Sequence, residues 1–165
     1  MSDHSRQQPV QLDRTDRRIL DLLQRDGSLS NLELADRVGL SPSPCSRRVK
    51  ALQDSGLIEG YRAHVNARQL GLNLLAMIHI SMDKHTPERF EAFERTVNGC
   101  PEVLECYLIT GQQADYMLKV IVRDMEDFQQ LLLGTITRIE GVSGVHSSFV
   151  MRRIVDRSAL PLGTL

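Results

Sequence analysis

The sequence predicts an α+β protein with an N-terminal three-helix helix-turn-helix domain, a hinge strand and a C-terminal ferredoxin-like βαββαβ domain. Residues 30–56 show two short amphipathic helices joined by a tight Gly-Leu-Ser turn. From residue 74 onward, strand and helix patterns alternate as two β-α-β units in tandem. The expected divisions are a disordered tail at 1–11, the helix-turn-helix domain at 12–60, a hinge at 61–73 and the ferredoxin-like domain at 74–165.

The first two helices are predicted from their capping residues. Asp13 is placed to cap the first helix, with Asp16 at its third position. Ser30 and Glu33 have the spacing of a capping box and predict a second helix that begins near residue 31. Gly39 supplies the permissive backbone that ends this helix. The chain must therefore turn just after residue 39.

A third helix is expected to begin at once, because Ser41 can cap it and Pro42 suits the first helical position. At about 100° per residue, Cys45, Val49 and Leu52 fall in one narrow inward sector. The opposite face carries hydroxyls and cations, and no acid occurs between residues 41 and 50. The candidate DNA-binding residues are Ser41, Ser43, Ser46, Arg47, Arg48 and Lys50.

These residue types suit phosphates and base edges in a major groove, so the third helix is interpreted as the recognition helix. Arg48 lies nearer the apolar flank and is assigned to a phosphate or to an ion pair within the domain, rather than to a base. The alternative is a solvated basic face on an ordinary helix. The turn and the spacing favour DNA recognition.

The second domain is predicted from alternation followed by helical periodicity. Thr86 and Pro87 mark the start of its first helix, and Asp124 marks the start of its second. The four expected strands run from residue 74 to 82, from 102 to 110, from 115 to 123 and from about 145 to 154.

In this fold both helices cover the same sheet face, so the other face has no helix over it. Along the edges of the strand set, enough residues are apolar that both sheet faces need burial, which predicts a homodimer through this domain. They are Leu75, Met77, Tyr107, Ile109, Phe149 and Met151.

Composition limits the remaining function classes. The net charge is −1, so attraction to nucleic acid must come from a local patch. Cys45, Cys100 and Cys106 are unpaired in pattern and are expected to be reduced, buried thiols, which favours the cytoplasm. No membrane span, signal peptide, cofactor motif, metal-ligand spacing or catalytic motif is found, so no enzyme, metal or cofactor is expected.

The chain resembles the Lrp/AsnC family, the leucine-responsive and asparagine-responsive transcriptional regulators, over about residues 12 to 155. The resemblance implies a DNA-binding regulator that assembles as dimers and often as octamers, and that binds an amino acid between subunits. The alternative is an amino-acid sensing or binding module whose main role is not DNA recognition. The segments that carry the likeness are 13–16, 30–39, 41–45, Glu105-Cys106, and Gly111 before Asp115-Tyr116.

The resemblance also implies an effector site near the loop between the second and third strands and near the second helix of a neighbouring subunit. Apolar effectors such as leucine or methionine are expected. Asp115 would bind the ammonium of the amino acid, although Asp115-Tyr116 equally fits a strand start after a turn. Three residues separate Gly111 from Asp115, where many relatives have two. The implied effector residues are Gly111, Asp115, Tyr116, Thr135 and Thr137.

Overall fold

The computed structural model describes residues 10–111 and 114–162, so most of the predicted tail at 1–11 lies outside the described residues. The chain forms two compact units. One contains the residues up to His64 together with the segment from Val155 onward, and the other is Val65–Ile154.

The N-terminal unit contains the three predicted helices, α1 (Arg14–Arg25), α2 (Asn31–Val38) and α3 (Pro42–Asp54). Their inward faces form one apolar core. Its buried members are Ile19, Leu20, Leu34, Ala35, Cys45 and Leu52.

Both predicted capping boxes are present. Asp13 and Asp16 bond each other's backbone N–H at the start of α1, and Ser30 and Glu33 do so at the start of α2. Gly39 follows α2 with a φ of 73°, the left-handed conformation that ends a helix. The chain therefore turns between α2 and α3 as its sequence requires.

The C-terminal segment returns to the N-terminal unit. The side-chain amide of Gln24 in α1 accepts a hydrogen bond from the Leu160 N–H at 2.6 Å and donates one to the Leu160 carbonyl at 3.3 Å. Leu162 packs against the three-helix core. The N-terminal unit is thus built from two separate stretches of chain.

The C-terminal unit is a four-stranded antiparallel sheet in the order β2-β3-β1-β4, the ferredoxin-like plan. Short 3₁₀ turns at Ala67–Leu70 and Ile136–Arg138 precede β1 and β4. The main elements are β1 (Leu74–Met82), α4 (Pro87–Asn98), β2 (Val103–Leu108), β3 (Tyr116–Val122), α5 (Met125–Gly134) and β4 (Val142–Phe149).

The two helices pack on one face of this sheet. Alternate residues of the central strands β1 and β3 are buried there, including Ile78 and Leu118, together with Phe93 of α4 and Phe128 of α5. Phe149 was expected along the edges of the strand set, and it does end the edge strand β4, but its ring is on the helix-covered face. It pairs with the buried Ala76 and stacks edge-on against Phe128, with ring centroids 5.0 Å apart.

The helix-free sheet face consists of the residues that alternate with this core. Glu105 accepts hydrogen bonds on this face from Lys119 and from the Tyr107 hydroxyl, each at 2.7 Å. These two donors, Lys119 first, lower the pKa of the Glu105 carboxyl. The other members of the face are Leu75, Met77, His79, Ser81, Met117, Ile121, His146 and Ser148.

Two further expectations need correction. The last strand begins at Val142 and ends at Phe149, several residues earlier than its apolar pattern suggested. Cys45 is buried, but Cys100 is half-buried and Cys106 is exposed, because β2 lies at the sheet edge.

Among the described residues, no helix combines the length and the hydrophobicity that a membrane span requires.

Candidate nucleic-acid interface and effector site

The exposed face of α3 carries the residues predicted to meet DNA. Ser43, Ser46, Arg47 and Lys50 are exposed, while Cys45 and Leu52 are buried and Val49 is half-buried. Within the described ranges, neither Arg47 nor Lys50 has an ion-pair partner. Both cations are therefore available to an anionic ligand.

Arg48 has a different environment. Its guanidinium contacts the carboxylates of Asp13 at 2.6 Å and Asp16 at 2.7 Å, which joins α3 to the start of α1. The Asp16 N–H and, next, Arg48 lower the pKa of the Asp13 carboxyl. Of the two roles the sequence left open for Arg48, the structure contains the ion pair within the domain.

The first turn of α3 is held by a side chain of α2. The Asn31 side-chain amide donates a hydrogen bond to the Pro42 carbonyl at 2.9 Å. Ser41 is the N-cap residue as predicted, but its hydroxyl makes no capping hydrogen bond. That hydroxyl remains exposed at the positive end of the helix dipole.

Asp115 lies in the turn between β2 and β3, with both carboxylate oxygens engaged. One accepts a hydrogen bond from the Met82 N–H at 2.7 Å, and the other lies 2.7 Å from Nε2 of His85. The Asp115 N–H also donates to the Ile80 carbonyl at 2.8 Å. The end of β1 therefore fixes this carboxylate in place.

Tyr116, the next residue, is on the helix side of the sheet. It is buried against Phe90 and Phe93, and its hydroxyl donates a 2.7 Å hydrogen bond to Glu94 of α4. Burial, followed by the bond to Glu94, raises the pKa of this hydroxyl. Tyr116 therefore packs in the core behind the β2–β3 turn and is not open to solvent beside Asp115.

The remaining effector residues are in two places. Gly111 is in the same turn as Asp115, and no atom of the described residues beyond its chain neighbours lies within 4 Å of a Cβ placed on it. The intervening Gln112 and Gln113 lie outside the described residues. Thr135 caps the end of α5 and lines an open groove shared with Thr96 of α4, whereas Thr137 is exposed in the following turn.

Two side chains that contact predicted effector residues were not predicted from the sequence: His85, which contacts Asp115, and Glu94, which contacts Tyr116. Neither His85 nor Glu94 belongs to a motif in the sequence. The βαββαβ plan itself held a signal for His85, because the end of β1 and the start of β3 meet at one end of the sheet. Across the described parts of the chain, no group of three or more acidic, histidine or cysteine side chains is arranged to hold a metal ion.

Comparison with known protein families gives two matches. Residues 12–59 match a winged helix-turn-helix DNA-binding domain, and residues 75–160 match the Lrp/AsnC ligand binding domain. The chain is 40% identical over 164 residues to the leucine-responsive regulatory proteins of Escherichia coli and Serratia marcescens, covering 99% of each chain.

Two solved structures of transcriptional regulators have a fold similar to that of this chain. The fold is similar to a transcriptional regulator from Neisseria meningitidis in complex with L-methionine, at 41% identity and a TM-score of 0.90, covering 93% of this chain and 99% of that one. It is also similar to an AsnC family regulator from Agrobacterium tumefaciens, at 33% identity and a TM-score of 0.88, with the same coverage.

Proposed function

The chain belongs to the Lrp/AsnC family of transcriptional regulators, and from this premise we propose that paired α3 helices bind a pseudo-palindromic operator. It is a DNA-binding regulator that responds to amino acids. In the proposed mechanism, two copies place their α3 helices in successive major grooves, roughly 34 Å or a multiple of it apart. An amino acid bound to the C-terminal unit changes which assemblies form, and so changes which operators are held.

The observation that carries the DNA interface is the exposed face of α3 between residues 41 and 50, a stretch without an acidic residue, with its two unpaired cations. We assign Arg47 to a base edge and Lys50 to a phosphate. Hydrogen bonds to the phosphate backbone of the DNA would come from the hydroxyl groups of Ser41, Ser43 and Ser46. Arg48 supports this surface from behind, because Asp13 and Asp16 hold its guanidinium.

Fluorescence anisotropy with the chain's own upstream DNA and with random DNA tests this assignment. Arg47→Ala should lose about 1–3 kcal/mol of binding free energy on the cognate sequence and much less on random DNA, as expected for a bidentate contact to guanine. Lys50→Ala should weaken binding to both sequences. It should also reduce the slope of log affinity against log salt concentration. Arg95→Ala, which removes an exposed arginine of α4, is the matched control. Equal losses on both DNAs for Arg47→Ala would refute the base contact.

The proposed effector is an amino acid with an apolar side chain. A relative 41% identical to this chain is in complex with L-methionine, and relatives 40% identical are leucine-responsive. Asp115 would accept the ammonium group, and amides of the turn that begins at Gly111 would bind the carboxylate. Thr135 and Thr137 would come from a neighbouring copy, while Tyr116 supports the turn.

Calorimetric titration with L-methionine and L-leucine tests the effector site. Binding should be lost in Asp115→Asn, because the amide cannot neutralise the ammonium group. Asp21→Asn is a control, since Asp21 pairs with Arg25 within α1, in the N-terminal unit. Binding that survives Asp115→Asn unchanged would exclude this site.

We further propose that the working form is a cytoplasmic homodimer that can assemble to an octamer. The support for the dimer is the helix-free sheet face, which carries two methionines and two aliphatic residues, each half-buried, between its polar groups. Such a face is stabilised when a second copy covers it.

A further inference from the structure

We propose that His85 is a built-in competitor of the effector: its imidazole occupies the oxygen of Asp115 that the ammonium group of an amino acid must take. The inference rests on the proposed effector site at Asp115. It adds a residue that regulates this site and predicts that effector binding is coupled to a proton.

The two partners of Asp115 differ in how easily they can leave. The Met82 N–H belongs to the backbone at the end of β1, so the oxygen that it binds stays occupied. His85 is in the loop between β1 and α4, and 68% of its side chain is exposed. The Asp115 side chain is only 20% exposed. The carboxylate is thus fixed, whereas the imidazole can rotate into solvent without disturbing the sheet.

The contact also has the chemistry of the expected ligand. An imidazolium donates an N–H to a carboxylate, as an ammonium group does, and the 2.7 Å separation is that of a charge-assisted hydrogen bond. The same ring lies 6.0 Å from the ring centroid of Phe90. An amino acid with an apolar side chain would therefore replace the imidazole at both places, with its ammonium group at Asp115 and its side chain towards Phe90.

The other charged groups around the loop leave Asp115 as the partner of the imidazole. Asp83, in the same loop, lies 3.5 Å from Nε of Arg89 in α4, and Arg89 also pairs with Glu140 at 2.6 Å. The pKa of Glu88 in the first turn of α4 is lowered by its own backbone N–H and then by Thr86. Lys84 is exposed. Among these residue types, histidine is the one whose charge generally responds to pH near neutrality.

The sign of the coupling follows from this arrangement. At low pH the imidazolium holds Asp115 and competes with the effector, whereas the neutral imidazole formed at higher pH competes less. A free amino acid stays a zwitterion over the same range, so its own charges do not change. The affinity for the effector should therefore rise with pH, and binding should release protons near the histidine transition.

Calorimetry with L-methionine at about pH 6 and about pH 8, in buffers of different ionisation enthalpy, tests the proposal. Wild-type protein should bind about twofold to fivefold more tightly at the higher pH, the range that a solvent-exposed ion pair can supply. The heat of binding should change with the buffer, which reports proton release. A contact that only supports the loop would produce neither effect.

His85→Gln should bind L-methionine at the lower pH as tightly as wild-type protein does at the higher pH, without proton release. His64→Gln is the matched control, because His64 is also exposed and lies 3.9 Å from a carboxylate, that of Asp156, in the N-terminal unit. It should behave as wild type. Melting curves should show that both variants remain folded.

The outcomes separate this inference from the proposed function. If binding requires Asp115 but is the same at both pH values, or if His85→Gln keeps the wild-type proton release, the competitor role is overturned and the effector site stands. If wild-type protein and His85→Gln bind neither L-methionine nor L-leucine at either pH, the proposed effector site fails and the inference fails with it.

Discussion

Arg47 and Arg48 are neighbours in α3 with opposite surroundings. The Arg47 side chain is exposed and has no ion-pair partner among the described residues, whereas Arg48 bridges two carboxylates of α1. A helix turns by about 100° per residue, so adjacent side chains face different partners. One arginine can therefore serve the ligand while the next positions the helix that carries it.

Arg48→Ala should lower the melting temperature of the N-terminal unit, because Asp13 and Asp16 would lose their shared cation. Arg47→Ala should leave it unchanged, since this side chain makes no such contact. Differential scanning calorimetry on the full chain measures both. Equal melting temperatures for the two variants would show that the bridge contributes nothing to stability.

Acid should weaken the same bridge. The pKa of Asp13 is lowered in the folded chain, so the ionised carboxylate stabilises the fold above its unfolded pKa and this stabilisation is lost as the pH falls through the folded value. The melting temperature of the N-terminal unit should therefore fall between about pH 5 and pH 3. Arg48→Ala should fall less over this range, and a parallel decline would argue against the bridge as the cause.

The sequence identified many of these side chains and could not identify their partners. The helical period separates the exposed Arg47 and Lys50 from the buried Cys45 and Leu52, as the structure confirms. The contacts of Arg48 with Asp13 and of His85 with Asp115 each join residues about thirty or more positions apart. Local patterns carry no distance information at that range.

Among the elements, capping chemistry was the most reliable guide. Asp13, Ser30, Pro42 and Gly39 mark helix ends where predicted, because each satisfies a local backbone requirement. The limits of β4 were misplaced, because its pairing with β1 depends on distant residues and its first half contains Ser143 and Gly144. The 3₁₀ turn that Asn66 caps was not predicted at all.

Gly39→Ala should destabilise the N-terminal unit by about 1 kcal/mol, because a side chain is strained in the left-handed conformation. In the described part of the chain, no atom beyond the neighbouring residues lies within 4 Å of the added Cβ, so the cost is that of the backbone. Gly134→Ala is the control: it also enters open space, but within α5, and should not destabilise. Urea denaturation measures both, and an unchanged midpoint for Gly39→Ala would contradict this account of the turn.

For the whole molecule, the helix-free sheet face determines the expected assembly. Met77→Glu places a charge on its central strand, and the same charge from a second copy would lie nearby. We expect sedimentation of this variant to show monomers at concentrations where wild-type protein is dimeric. Met125→Glu, at an exposed position of α5, should remain dimeric. A dimeric Met77→Glu would show that the copies associate through another surface.

The return of the chain to α1, through the bonds between Gln24 and Leu160, has a practical consequence for protein engineering. A fluorescent protein or affinity tag inserted directly after Leu162 would be attached to the three-helix unit, although the sheet precedes this position in the sequence. A reporter intended to follow amino-acid binding is therefore better inserted elsewhere. A gene fragment that ends at His64 would encode all three helices but would lack Leu162, which packs against their core.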